Sequence, residues 1–97
     1  MHILTRRRLR EYWEVDKQSY TSLDEWCRRM KKINPANLAE LHQTFPHADL
    51  VGTCIVFNIG GNKYRLITNI DFQRQTIYIK SVLPHKEYDR NKWKVDC

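Results

Sequence analysis

A chain of 97 residues, 41% of them apolar, has room for one domain, 1–97, with a modest core. Seventeen basic residues against eleven acidic give a net charge of +6, which favours polyanionic partners, nucleic acid first. No apolar run is long enough to span a bilayer, and the opening MHILTRRRLR lacks secretory character. Cys27, Cys54 and Cys97, without C-x-x-C spacing, argue for free thiols in a reducing cytoplasm rather than a disulfide scaffold or a zinc site.

His2 to Leu4 reads as a short strand added to a sheet, with Thr5 as N-cap of a helix through about Asp16. Leu9, Tyr12 and Trp13 give that helix an apolar face. Arg6, Arg7, Arg8 and Arg10 crowd its first turns, where cations are unfavourable, so they bind phosphate or form a solvated basic end. Ser22-Leu23-Asp24-Glu25 fits a capping box opening a helix to about Ile33. Leu23, Trp26, Cys27 and Met30 form its buried stripe, and Arg28, Arg29, Lys31 and Lys32 its outer face. Asn34-Pro35 then caps a short helix carrying Leu38 and Leu41 that stops before Phe45-Pro46. His47 to Gly52 reads as a loop, and the lone His42 and His47 are assigned to the surface.

From Ile55 onward the period changes to two. Apolar alternations face each other across Gly60-Gly61-Asn62, a hairpin signal. Along the next strand Tyr64, Leu66, Ile70 and Phe72 share one face, and Lys63, Arg65, Ile67, Asn69 and Asp71 the other. The third strand, Thr76 to Val82, puts Ile77 and Ile79 on one face and Tyr78, Lys80 and Val82 on the opposite one. If the apolar faces join one core, Arg65 and Lys80 stand together on the far face, with His85 and Tyr88 following. The pattern predicts an α+β domain, with helices on one face of a small, mainly antiparallel sheet and a short C-terminal helical segment. Were 85 to 93 helical, His85, Tyr88 and Lys92 would share a face. No Walker loop, GxGxxG, nucleophile elbow or metal-ligand cluster is present.

The stretch FNIGGNKYR at Phe57 to Arg65, then Tyr78-Ile79-Lys80, then HKEYD at His85 to Asp89, resembles the HigB toxins of type II toxin–antitoxin systems, within the RelE-like superfamily. The resemblance covers most of the chain, with its specific motifs in the C-terminal half. It implies a cytoplasmic mRNA interferase, an endoribonuclease that cuts mRNA in the ribosomal A site and is neutralised by a HigA-like helix-turn-helix antitoxin. DNA would be met only through the antitoxin complex. Carried over, the catalytic positions are Arg65, Lys80, His85 and Tyr88. One departure is Pro84, where family members often have Thr as N-cap.

The residues themselves suit a reaction needing neither metal nor cofactor. RNA supplies its own nucleophile, the 2′-hydroxyl; the enzyme needs a base, an acid and charge around the phosphorane. Arg65 offers a bidentate fork, Lys80 a point charge, His85 an imidazole and Tyr88 a phenol. Lys63, Lys86, Arg90, Lys92 and Lys94 are expected to bind phosphates of mRNA or ribosomal RNA, and Trp93 to anchor packing. The sequence shows no obvious pair of catalytic histidines. The competing classes are a non-catalytic RNA-binding module and an operator-binding co-regulator that acts with an antitoxin.

Overall fold

Apolar residues at helical spacing before Pro46 and at alternate positions after Thr53 build two layers that bury each other. The computed structural model describes all 97 residues. In order they form β1 (His2–Leu4), α1 (Arg6–Val15), α2 (Tyr20–Lys31), α3 (Leu38–Thr44), β2 (Asp49–Val51), β3 (Cys54–Ile59), β4 (Tyr64–Asp71), β5 (Thr76–Pro84) and the single turn α4 (His85–Tyr88). The sheet order is β1-β5-β4-β3-β2, antiparallel except for the parallel β1–β5 pair. This is the expected α+β architecture. No helix is long and apolar enough to cross a membrane.

The core lies between the helices and one sheet face. Leu9, the α2 stripe Leu23, Trp26, Cys27 and Met30, and Leu41 meet Ile55, Phe57, Ile59, Tyr64, Leu66, Ile77 and Ile79. Each such side chain contributes roughly 1.5–3 kcal/mol through burial. A smaller cluster on the opposite face joins Cys54, Val56, Ile67 and Trp93, with Leu83 and Tyr88 packed against it. The sheet is therefore covered on both sides where the C-terminal segment crosses it.

The expected faces of β4 hold, but β5 departs from strict alternation. Thr68 pairs with Ile79 and Ile67 with Ser81, so Lys80 is the extra residue of a β-bulge. Beyond it the alternation inverts. Val82, expected beside Lys80, joins Ile77 and Ile79 in the main core, and Leu83 turns to the second face.

Three helix starts differ from the sequence reading. Thr5 precedes α1 in a left-handed conformation, φ 61°, and its side chain caps nothing. Instead its Oγ1 accepts from the Ile79 N–H at 2.9 Å and donates to the Ile79 carbonyl at 3.1 Å, clasping α1 to β5. The α2 helix starts at Tyr20 rather than after a Ser22 capping box, because a 3-10 turn at Lys17–Ser19 runs straight into it. The N-cap assigned to Asn34 forms three residues later. Asn37 Oδ1 accepts from the Glu40 N–H at 2.9 Å, and Glu40 Oε1 accepts from the Ala36 N–H at 2.9 Å. Residues 49–51, expected as loop, form the edge strand β2. The basic start of α1 is largely absorbed within the chain. Arg6 pairs with Asp24, Arg7 with Glu11, and Arg8 Nη1 donates to the Lys80 carbonyl at 2.9 Å.

The cysteine expectation is also corrected. Cys54 and Cys97 form a disulfide across a Cα–Cα distance of 5.2 Å, and only Cys27 is free and buried. The pairing follows from the chain's return: the Thr53 N–H donates to the Cys97 carbonyl at 2.7 Å, setting the two side chains together.

Tyr64 ties the sheet to the α1–α2 junction. Its phenol donates to Asp16 Oδ2 at 2.8 Å, and its ring meets Tyr12 edge-on. Burial, then the hydrogen bond to Asp16, push its pKa from 10.0 up to about 12. The folded state therefore holds this proton more tightly than the unfolded chain. Stability should be unaffected by this group below pH 10.0 and should fall as pH rises from there towards about 12. A chemical-denaturation series across that window checks this, and Tyr64→Phe should flatten the decline. The cap placement is separately testable. Asn37→Ala should cost about 0.5–2 kcal/mol by denaturation, whereas Asn34→Ala should stay within about 0.5 kcal/mol, as for surface changes elsewhere.

Candidate active-site cleft

The hairpin between β3 and β4 sets the site's upper edge. Gly60 and Gly61 both adopt positive φ, 61° and 70°, which a side chain would strain. A Cβ on Gly60 would also stand 3.2 Å from the Ser22 hydroxyl. The turn delivers Arg65 onto the second sheet face, opposite Asn58 of β3 and Leu83 of β5.

The end of β5 runs into α4 without a side-chain cap, since Pro84 has none to give. The His85 N–H finds the Lys63 carbonyl instead, at 3.0 Å, which fastens α4 to the hairpin. Three residues on, the Tyr88 ring lies over the Arg65 guanidinium at 5.0 Å. On Tyr88 stacks Trp93, with centroids 4.8 Å apart and planes 15° apart. The Trp93 Nε1–H donates to the Tyr88 carbonyl at 2.9 Å. The chain does not stay helical to residue 93: Asn91, at φ 61°, breaks it before a 3-10 turn at Lys92–Asp96. That break brings the indole back beneath Tyr88.

Arg65 is the one charged residue among the buried set, 9% exposed. Nη1 donates to the Asn62 and Tyr64 carbonyls, both at 3.3 Å. No carboxylate pairs with it. A buried cation held only by carbonyl dipoles and an aromatic face retains a large attraction for an anion. It opens into a cleft of about 420 Å³ with Tyr88 and Asn58 on the sheet side. The rest of the lining comes from α3 with His42, from the turn after it with His47, and from Asp49 at the start of β2.

Of the residues expected from sequence, Arg65 and Tyr88 come together here. Lys80 and His85 are not among the residues lining the cleft. The Lys80 ammonium donates to the Asp96 carbonyl at 2.6 Å, holding down the C-terminal segment. His85 Nε2 lies 3.5 Å from Asp89 Oδ2 on the solvent side of α4. Lys63, Lys86, Arg90, Lys92 and Lys94 are all exposed, on the hairpin turn, on α4 and on the segment after it.

Asn58, His42, His47 and Asp49 were not singled out as site residues. Asn58 left a signal, being the one polar residue in the buried run Cys54–Ile59. His42, His47 and Asp49 left none, because each is a lone polar residue in a short helix, a turn or an edge strand, where periodicity is too brief to mark it.

A helix layer on one sheet face, and on the other a buried arginine opening into a cleft under an aromatic stack, make a small protein able to hold an anionic ligand. Residues 19–91 match the model of the HigB toxin family, described as a RelE-like toxic component of a toxin–antitoxin system. The chain belongs to that family. It is 33% identical to the mRNA interferase toxin HigB of Escherichia coli over 92 residues, covering 92% of this chain and 88% of that protein. The mRNA interferase HigB of Shigella flexneri gives the same figures. A second Escherichia coli mRNA interferase HigB is 26% identical over 93 residues, covering 93% of this chain and 90% of that protein.

Trp93 is the support that a mutation can remove. Trp93→Ala should cost about 3–5 kcal/mol in denaturation. Trp93→Phe keeps a ring under Tyr88 and loses mainly the indole hydrogen bond, so about 1 kcal/mol is expected.

Proposed function

We propose that this HigB-family toxin is an endoribonuclease that cuts mRNA on the translating ribosome by metal-independent attack of the RNA 2′-hydroxyl. Family membership makes it the toxic half of a toxin–antitoxin pair, and its similarity to mRNA interferases makes mRNA cleavage its activity. The observation that carries the mechanistic reading is Arg65: a buried guanidinium with no carboxylate partner, aimed at a cleft of single-nucleotide size.

In this reading the scissile phosphate sits against Arg65. The 2′-oxygen bonds to phosphorus as its proton leaves to a base. Negative charge grows on the non-bridging oxygens and is met by the guanidinium. The P–O5′ bond then breaks, and O5′ takes a proton from an acid. The products are a 2′,3′-cyclic phosphate and a 5′-hydroxyl. Tyr88 lies over Arg65 and holds the ribose or donates a proton. His85, at the head of the same turn, is a second proton-transfer group, which the RNA meets on the solvent side of α4 beside Asp89. Lys80 steadies the C-terminal segment and adds positive charge. The cleft's donors are cation, phenol, amide and imidazole, with Asp49 the one carboxylate, a set suited to acid–base work on a phosphodiester.

The exposed Lys63, Lys86, Arg90, Lys92 and Lys94 bind phosphates of mRNA or ribosomal RNA. The ribosome supplies orientation that the shallow cleft does not, an effect worth several kcal/mol. A helix-turn-helix antitoxin of the HigA kind presents acidic groups to this face, covers Arg65 and alone brings the complex to DNA. Such an association is sensitive to salt.

The experiment is end-group analysis of mRNA cut on translating ribosomes, with and without EDTA, for wild type and Arg65→Ala. Cyclic phosphate ends that persist in EDTA, with Arg65→Ala slower by roughly 10²–10³-fold in single turnover, are expected. A 5′-phosphate product abolished by EDTA would overturn the mechanism. Equal cleavage of free and ribosome-bound RNA would overturn the ribosome dependence.

A further inference from the structure

We infer that His47, on the wall facing Arg65 and Tyr88, is the general base that takes the 2′-hydroxyl proton. The inference rests on the ribonuclease reading above and gives its base a residue.

The chain has no general base on the sheet side of the cleft. Arg65 cannot give up its proton near neutrality, and Asn58 does not titrate. Tyr88 is a phenol, which at neutral pH donates a proton far more readily than it accepts one. Three histidines lie in the neighbourhood, and their engagements differ. His85 stands outside the cleft's lining, with Asp89 3.5 Å from its Nε2. The His42 Nε2 is occupied with the Ala48 carbonyl at 2.7 Å. His47 lines the cleft with its side chain exposed, and it also borders two further cavities, of about 140 and 520 Å³, that share Asn58 with it.

The position of His47 is fixed by its neighbours rather than by its own contacts. Phe45 is buried edge-on against Phe57, with the Arg29 guanidinium 4.5 Å over its ring. The Ala48 N–H donates to the Phe45 carbonyl at 3.1 Å, closing a turn with Pro46 and His47 at its two central positions. Ala48 itself is buried, and its carbonyl is the one His42 holds. The turn is therefore pinned at both ends, and only the imidazole at its tip is free to meet a ligand. An exposed ring on a rigid turn suits proton transfer, because no internal bond has to break first.

His47 accepts the proton from the 2′-hydroxyl as the O2′–P bond forms. The P–O5′ bond breaks with its electron pair on O5′, which takes the proton of the Tyr88 phenol, and the phenolate regains one from water. The imidazolium left on His47 returns its proton to water. The titratable and charged groups around His47 are Arg65 from β4, Tyr88 from α4, Asp49 from β2, His42 from α3 and Arg29 from α2.

The test is single-turnover cleavage of mRNA on translating ribosomes across pH, for wild type, His47→Ala and Arg65→Ala, with and without added imidazole. His47→Ala should be slower by roughly 10²–10⁴-fold, lose the rise of rate with pH that a neutral base imparts, and regain rate with imidazole in solution. Arg65→Ala should be slow, keep that rise and gain nothing from imidazole. His47→Ala with wild-type rate and profile, beside a slow Arg65→Ala, would overturn the role of His47 and leave the ribonuclease reading standing. A slow His47→Ala that keeps the wild-type pH profile and ignores imidazole would make His47 structural, and likewise overturn it. A wild-type chain that cuts no RNA would overturn both.

Discussion

The face-to-face stack of Trp93 on Tyr88 is the contact on which the rest of the cleft depends. The main core, between helices and sheet, would form without it. The second sheet face would not, because β3 and β4 alone offer only Cys54, Val56 and Ile67 there. The indole completes that cluster and carries Tyr88 above Arg65. Without that cover the guanidinium would be an ordinary exposed sheet cation, hydrated and weakly attracting. With it, Arg65 sits where water is scarce and Coulomb attraction is stronger. One aromatic pair thus turns a charged side chain into an anion receptor.

Two further ties keep this stack in place, and neither touches the cleft. The Lys80 ammonium reaches the Asp96 carbonyl, and Cys54 is bonded to Cys97. Both hold the segment that follows Trp93 against the sheet. The bulge at Lys80 has a part in this, since a β5 without it would turn Val82 away from the main core and Leu83 away from the second face. One strand therefore serves both faces by changing its alternation midway.

The parts of the fold legible in sequence are those that repeat. The α2 stripe, the β4 faces and the Gly60–Asn62 hairpin all rest on periodicity or on turn chemistry. Val82 was misplaced because a bulge leaves no mark on an alternating strand. The α2 start was misread because a 3-10 turn without any cap runs straight into the helix, and the α3 start because Asn34 and Asn37 are the same cap-forming residue. The disulfide joins positions 43 residues apart, which only the folded path makes neighbours. At the site, Arg65 and Tyr88 were legible through motif resemblance. His42 and His47 were not, since an isolated histidine beside a proline turn looks the same whether it faces solvent or an arginine across a cleft.

The place of β1 in the sheet has a consequence for how the chain comes to be folded. The first strand pairs only with the last, His2 to Leu4 alongside Thr76 to Tyr78, and the Thr5 clasp also closes on Ile79. Such long-range contacts are the slowest to form, because a large loop must be closed before they offer any return. During synthesis the opening residues have no strand to join until β5 has left the ribosome. The hairpin carrying Arg65 precedes β5 in the chain, but α4 and Trp93 come after it. The sheet and the cleft are thus completed only by β5, α4 and Trp93, and a nascent copy lacks both its closing strand and the cover on its arginine until those residues have emerged.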